Sequence, residues 1–380
     1  MEVKKLSNKI DIQNYLKELG VDGGGVSILG AKATQHILYI KDLHVGGANI
    51  LKQDALSVGA DLAVPRGTVL AVTPKVDAIL IATQRQLESL AKKELSQPFG
   101  LKELAKKFKD ITQVKQIEKT KIMGVINAND DSFFSESRFK PQEAIIKIKQ
   151  MVEEGAEIID IGGVSSKPNA EIVSADEELS RVQAIYDLIK EEKLYEDVTF
   201  SCDSYEPKVI EYALKSGFSM VNDITGLQND EVARLCAEYN ASVVLMHMQG
   251  TPQTMQDKPH YEDVVTEVYD FLAKQVQKAK DFGIQNIIVD VGIGFGKTLE
   301  DNLCLVKHLE HFRTLGCDIL VGASRKSMID KISSATVANR LAGTLAIHLE
   351  AVENGASILR VHDVYEHNQA LKVKEALKSV

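Results

Sequence analysis

Cysteine is scarce in this 380-residue sequence, with four residues at Cys202, Cys236, Cys304 and Cys317, and tryptophan is absent. No two cysteines form a C-x-x-C pair, so neither a zinc knuckle nor a thioredoxin-type site is indicated. Cysteines used this sparingly, in apolar surroundings, fit a reducing compartment, and the expected location is the cytoplasm. No apolar run approaches the roughly 18 residues of a membrane-spanning helix. The opening stretch MEVKKLSNKIDIQNYL has lysines but no apolar core, so a signal peptide is not expected. Positive charge is also in deficit: 45 Lys+Arg stand against 54 Asp+Glu, a net charge of -9. That argues against a nucleic-acid binder, which needs a basic face, but not against a small anion held by a local cluster of cations. H-x-x-E-type spacing is missing, which argues against a tightly protein-ligated zinc.

What remains is an ordinary globular composition, 44% hydrophobic and 26% charged, which rules out disorder as the main state. At roughly 150 residues per domain, the length suits two domains, or one large domain with an appendage. From residue 122 onward, short apolar runs alternate with longer amphipathic stretches. The runs are IMGVIN (122–127), EIIDIG (157–162), VTFSCDS (198–204), MVNDIT (220–225), ASVVLMH (241–247), NIIVDVG (286–292), CDILVGAS (317–324) and SILRVH (357–362). Continuous apolar strands are buried on both faces, as in a parallel sheet covered by helices. Gly155, Gly217, Gly283, Gly316 and Gly355 each close a helical stretch just before a strand, where glycine tolerates the left-handed conformation of a helix end. The six units between Gly155 and Gly355 average about 33 residues, the size of a βα repeat. Helical solenoids share that period but lack a strand in every unit. Eight such units predict a (β/α)8 barrel over residues 116–380, with a doubly wound open sheet as the alternative.

Residues 1–115 break the rhythm and predict a small α/β domain. They contain GGG at Gly23–Gly25, runs at 36–40 and 67–73, and helical patterns at 48–64 and 84–95. The triplet reads as a turn, because no G-x-x-x-x-G-K-[ST] follows it.

Barrel enzymes carry their chemistry at the C-terminal ends of the strands, and all eight runs end in polar groups. These ends are Asn127, the Gly162–Pro168 segment, Asp203, Asn222-Asp223, His247, Asp290, Ser324-Arg325-Lys326-Ser327 and Arg360-Val361-His362-Asp363. Asp203, Asn222 and Asp290 match the donor–acceptor edge of a flat heterocycle such as a guanine-like or pterin ring, with Met246 and Phe295 as apolar walls. Lys326, Arg360 and His362 form a cationic group where barrels often bind phosphate. Together they imply a heterocycle carrying a phosphate or diphosphate. Of the adjacent Arg325 and Lys326, the reading turns Lys326 inward. Asn222-Asp223 also has a capping explanation, and His247 is read as a satisfied buried histidine without a role. Two further motifs are rejected. The segment from Val291 to Thr298 imitates a phosphate loop but has valine at the first required glycine, and Gly292, Gly294 and Gly296 do not make a dinucleotide fingerprint.

Longer motifs then agree at once: KIMGVINANDDSFF, GAEIIDIGGVSSKP, FSCDSYEPKVIEYALKSGFSMVNDITG, VVLMHMQGTPQTMQ, IIVDVGIGFGKTLEDNL, LVGASRKSMI and NRLAGTLAIHLEAVENGASILRVHDV. In order and spacing over about residues 120–375, they resemble the dihydropteroate synthase family. The resemblance implies a transferase of folate biosynthesis that joins 6-hydroxymethyl-7,8-dihydropterin diphosphate to 4-aminobenzoate, with Mg²⁺ as cofactor and sulfonamide sensitivity. It also implies a homodimer, acting on small molecules without nucleic-acid or membrane partners. By motif, Asp203, Asn222, Asp290 and Lys326 would hold the pterin, bordered by Met246 and Phe295. Asn127 would bind Mg²⁺ and diphosphate. Ser166, Arg360 and His362 would hold the leaving diphosphate, while Ser166, Lys167, Pro168 and Ser327 would lie near the aminobenzoate. Asp203, Lys326, Arg360 and His362 would be the catalytic set.

The sequence departs from the family pattern in its loops. Asn129-Asp130 replaces a threonine-proline pair, and Val164-Ser165-Ser166-Lys167 stands where E-S-T-R is usual. Lysine lacks arginine's forked geometry. Val291 stands in place of proline. Two alternatives remain: a folate-dependent methyltransferase of the same barrel, and a non-catalytic pterin-binding homologue. The methyltransferase would not need the Arg360–His362 clamp. A fused pyrophosphokinase is not expected, since residues 1–115 are short for one and carry no kinase motif.

Overall fold

The computed structural model describes residues 1–7, 10–114, 117, 119–128, 141–164, 173–255 and 257–378. The chain divides into two compact units, Met1–Lys115 (joined by the last three residues) and Gln116–Leu377.

In the first unit, strands β1 (Gln35–His44), β2 (Asp61–Ala63) and β3 (Lys75–Thr83) form an antiparallel sheet in the order β1-β3-β2. In β3, Val76, Ala78, Leu80 and Ala82 alternate with exposed neighbours. The period of two puts them on one face. There they join a core with Leu51, Leu87, Leu90, Leu101 and Phe108 from the surrounding helices. Three expectations are corrected here. The glycine triplet is no turn: it forms the first turn of a helix, Gly23–Ala33, with Asp22 accepting from the Gly25 N–H. A side-chain oxygen at the N-cap satisfies an orphan donor that glycine's poor helix propensity does not remove. The run at 67–73 is not a strand but a short 3-10 turn, Thr68–Leu70, bracketed by left-handed Gly67 and Ala71, which reverse the chain. The helical pattern at 48–64 is shortened to Val45–Ser57, because Gly59 turns left-handed and Asp61–Ala63 joins the sheet.

The second unit is a closed, all-parallel barrel. Its strands are β4 (Lys121–Asn127), β5 (Ile158–Gly162), β6 (Thr199–Asp203), β7 (Met220–Asp223), β8 (Ser242–Met246), β9 (Ile287–Asp290), β10 (Asp318–Val321) and β11 (Ile358–Val361). Closure between β11 and β4 excludes the open sheet. Alternation along each strand splits the apolar residues into two layers. Met123, Ile158, Met220, Val244, Ile288, Leu320 and Ile358 fill the barrel interior. Their neighbours, among them Ile159, Cys202, Val221, Val243, Val289, Val321 and Leu359, pack outward against the helices. This double burial is why the strands read as continuous apolar runs. The five glycines before the strands all have positive φ, between 73° and 109°.

Candidate active site

The site grows directly from the inward phase of the strands. Two residues above the interior layer, the same face carries a charged or amide side chain in five of the strands. Ile158 is followed by Asp160, Ser201 by Asp203, Met220 by Asn222, Ile288 by Asp290 and Ile358 by Arg360, while Val244 leads to Met246. Barrel register places Asp203 beside Asn222 and Met246 beside Asp290.

Arg360 is the hub. Its Nε donates to Asp160 Oδ2 at 2.6 Å and its Nη2 to Asp203 Oδ2 at 2.5 Å. Asn222 Nδ2 donates to the same Asp160 oxygen at 3.1 Å. Asp160 is fully buried, and its other oxygen has no partner among the described residues. Asp160 was missed in the sequence. The available signal was a lone charge inside the apolar β5, in phase with Gly162 at the strand's end.

Lys326 lies across the pocket. Its ammonium donates to the Ile293 carbonyl and sits 4.5 Å over the Phe295 ring. Such a placement gains both hydrogen-bond and cation–π attraction. Arg325 turns the other way and forms a two-pronged pair with Asp363, so the two adjacent cations divide as expected. Asp290 Oδ1 accepts from the Gly292 N–H at 2.7 Å.

Burial disfavours charge throughout this pocket. It pushes Asp203 up to about 7 against the opposing pull of Arg360. It also raises Asp290, opposed first by Lys326, and lowers Lys326 to about 8, opposed by Asp290. Opposing charges therefore offset part of the cost of burial in this pocket.

At the rim, Asn127 ends β4 opposite Gly162 in the register, and His362 Nδ1 is 2.9 Å from Ser324 Oγ. His362 and Ser327 are exposed. Asp223 does not join the pocket; it caps the following loop through Thr225 and Leu227. Ser166, Lys167 and Pro168, together with Asn129 and Asp130, lie outside the described residues.

The rejected phosphate-loop imitation has a structural use. Lys297 Nζ is buried among His247 Nδ1 at 3.0 Å and the carbonyls of His247, Gly292 and Phe295 at 3.0–3.2 Å. That ammonium fastens the loop that carries Phe295. His247, left without a role above, is held neutral by burial and the nearby Lys297 charge, with its pKa lowered to about 3, and serves as an acceptor. A Cβ on Gly292 would lie 1.9 Å from the His247 carbonyl oxygen, and its φ is +69°, so only glycine lets the loop pass there.

Comparisons with known proteins agree with one another. A family model described as pterin binding enzyme matches residues 123–362. A Helicobacter pylori protein named bifunctional dihydropteroate synthase/dihydropteroate reductase is 40% identical over 378 residues, covering 100% of this chain and 99% of its own. The barrel resembles Yersinia pestis dihydropteroate synthase in complex with a sulfonamide drug, with a TM-score of 0.65 and 34% identity over 70% of this chain and 97% of that one. It also resembles Xanthomonas albilineans dihydropteroate synthase bound to 4-aminobenzoic acid, with a TM-score of 0.64 and 35% identity over 70% and 95%.

Proposed function

The chain belongs to the pterin-binding enzyme family, and from that premise we infer that it catalyses the dihydropteroate synthase reaction of folate biosynthesis. It is a transferase, joining 6-hydroxymethyl-7,8-dihydropterin diphosphate to 4-aminobenzoate with release of diphosphate. The observation that carries this reading is the convergence of Asp203, Asn222, Asp290, Lys326 and Arg360 on one barrel mouth, around the buried Asp160.

In this mechanism Asp203, Asn222 and Asp290 meet the N–H-rich edge of the pterin, Lys326 donates to its acceptor side, and Met246 and Phe295 flank its faces. Arg360 keeps three of its five N–H groups after its bonds to Asp160 and Asp203. These, with His362 and Ser166, bind the departing diphosphate. The methylene–oxygen bond breaks and its electron pair leaves with diphosphate. The resulting cation is conjugated with the ring and lies near the Asp203 and Asp290 carboxylates, which stabilise it. The aminobenzoate nitrogen, placed near Lys167, Pro168 and Ser327, then forms the new bond and gives its proton to solvent. No covalent enzyme intermediate is required.

Mg²⁺ suits this donor set. It commonly takes only one or two protein oxygens and completes its shell with phosphate and water. Among the described residues no group of three His, Cys, Asp or Glu forms a cage, whereas Asn127 ends its strand at the rim where the diphosphate would lie. When bound, the ion neutralises the leaving group's charge.

The reading also takes the chain to be a cytoplasmic homodimer. No helix among the described residues is long and apolar enough to cross a membrane. Exposed Ile332, Val337, Tyr365 and Val373 in the barrel unit favour self-association.

A second activity is favoured by the H. pylori relation, which runs through residues 1–115 as well. We extend dihydropteroate reduction to this chain: a hydride from a reduced nicotinamide or flavin adds to the remaining C=N bond of the ring, and a proton completes it. Oxidation of either donor that depends on dihydropteroate supports this; its absence with both donors counts against it.

The synthase reading is tested by assaying diphosphate release with both substrates, beside Asp203→Ala and Arg360→Ala. Wild-type turnover that falls at least about a hundredfold in the variants is expected. A wild type that releases nothing at any Mg²⁺ level favours the non-catalytic homologue.

A further inference from the structure

Behind the pocket, the loop that aims Lys326 is held by an unusual set of backbone bonds. Arg325 has a φ of +57°, a left-handed conformation that is costly for a residue with a side chain. This turn sends Arg325 back to Asp363 and Lys326 toward Phe295. It persists because helix Leu341–Glu353 and its N-terminal flank over-determine it. Thr344 Oγ1 accepts from the Arg325 N–H at 3.0 Å, and Arg340 donates to the Arg325 carbonyl at 3.1 Å. One turn further on, His348 Nε2 accepts from the Ala323 N–H at 3.0 Å.

His348 continues the chain of contacts. Its Nδ1 is 2.9 Å from His367 Nε2, and His367 Nδ1 is 2.5 Å from the Asp363 carbonyl oxygen. The direction of every proton follows from the two ends. The Ala323 amide can only donate, so His348 Nε2 is bare and its proton sits on Nδ1. His367 Nε2 must then accept, which leaves its own proton on Nδ1, facing a carbonyl that can only accept. Both imidazoles are therefore neutral and in the same tautomer. Burial lowers the pKa of both rings, and the nearby positive charge of Lys326 adds to the effect at His348. Both side chains are nearly or fully inaccessible to water.

We propose that His348 and His367 are positioning residues: a one-directional pair of neutral imidazoles that locks the Lys326 loop to the strand end carrying Arg360 and His362. Asp363 closes the circuit, receiving His367 at its carbonyl and Arg325 at its carboxylate. The pterin-side cation and the diphosphate-side cations thereby keep a fixed separation. The proposal rests on the synthase reading for its kinetic consequence but not for its geometry.

The test has two arms. The first is nitrogen-resolved NMR of the wild-type protein, labelled at its nine histidines and assigned with single variants. His348 and His367 are expected as neutral Nδ1–H tautomers from pH 6 to pH 8. Either ring found as the Nε2–H tautomer, or charged at pH 6, overturns the proposal whatever the enzyme does. The second is kinetic. His348→Phe keeps the ring but strands the buried Ala323 amide, and is expected to raise KM for the pterin diphosphate about tenfold, with KM for aminobenzoate changed much less. His348→Gln, which offers an acceptor and a donor in the same order, is expected to recover most of the loss. Equal effects on both substrates, or no difference between Phe and Gln, overturn the positioning role. Absence of turnover in the wild type with the tautomers as expected would instead count against the synthase reading alone.

Discussion

Replacing Arg360 by alanine tests whether the pocket is as dry and as interlocked as its contacts imply. The side chain neutralises Asp160, which is fully buried, and Asp203, whose side chain is 12% exposed. Removing one partner of a buried ionic set typically costs about 3–5 kcal/mol, because the remaining charge is left without water or a counter-ion. For a barrel of this size, where 1 kcal/mol moves Tm by roughly 2–4 °C, the loss is on the order of 10 °C. The sign of its pH dependence follows. In Arg360→Ala the Asp203 carboxyl, already raised by burial and stripped of the opposing Arg360 charge, has a folded-state pKa above its unfolded value of about 4. The folded protein then holds protons that the unfolded chain has released, so stability falls as pH rises from about 4 through the raised value. Thermal unfolding by circular dichroism at pH 5 and pH 8 reads this out: the gap between wild type and variant is expected to widen at pH 8. Arg360→Lys, which keeps a charge without the fork, is expected to recover much of the stability but not the turnover. An alanine variant with an unchanged midpoint at both pH values would show that water, not Arg360, solvates the two carboxylates.

Two further outcomes follow from the same pocket. Lys326 is lowered to about 8 by burial, so kcat/KM for the pterin diphosphate is expected to fall as pH rises past about 8. Lys326→Arg, at lower absolute activity, is expected to lose that limb, and an unaltered limb would assign it to another group. Gly292→Ala is expected to displace the loop that bears Phe295, since its Cβ would overlap the His247 carbonyl. A pterin-binding titration and a melting curve should both worsen, and wild-type values in both would refute the steric argument.

The barrel was readable because each strand is buried on both faces, which writes an apolar run into the sequence wherever the chain crosses the sheet. The helix-ending glycines were readable for an equally local reason, their positive φ. Residues 67–73 misled because an apolar run does not say whether a neighbouring edge exists to pair with, and here Val69, Leu70 and Val72 are exposed. The inward facing of Asp203, Asn222 and Asp290 was legible as polar groups at strand ends. Asp160 was not, since it lies inside its strand and its meaning depends on Arg360, two hundred residues away along the chain. The same distance problem hid Lys297 with His247 and the His348–His367 pair. Each is an ordinary residue in sequence and acquires a function only from a partner that closure of the barrel supplies.

The central claim is that one barrel mouth grips the pterin with its acids and amide and the diphosphate with its cations. The most direct measurement is a crystal structure of the protein with the pterin diphosphate and 4-aminobenzoate bound. The ring is expected within hydrogen-bond distance of Asp203, Asn222, Asp290 and Lys326, with the diphosphate toward Arg360, His362 and Asn127. A ring bound elsewhere, or a diphosphate out of reach of Arg360 and His362, would contradict it.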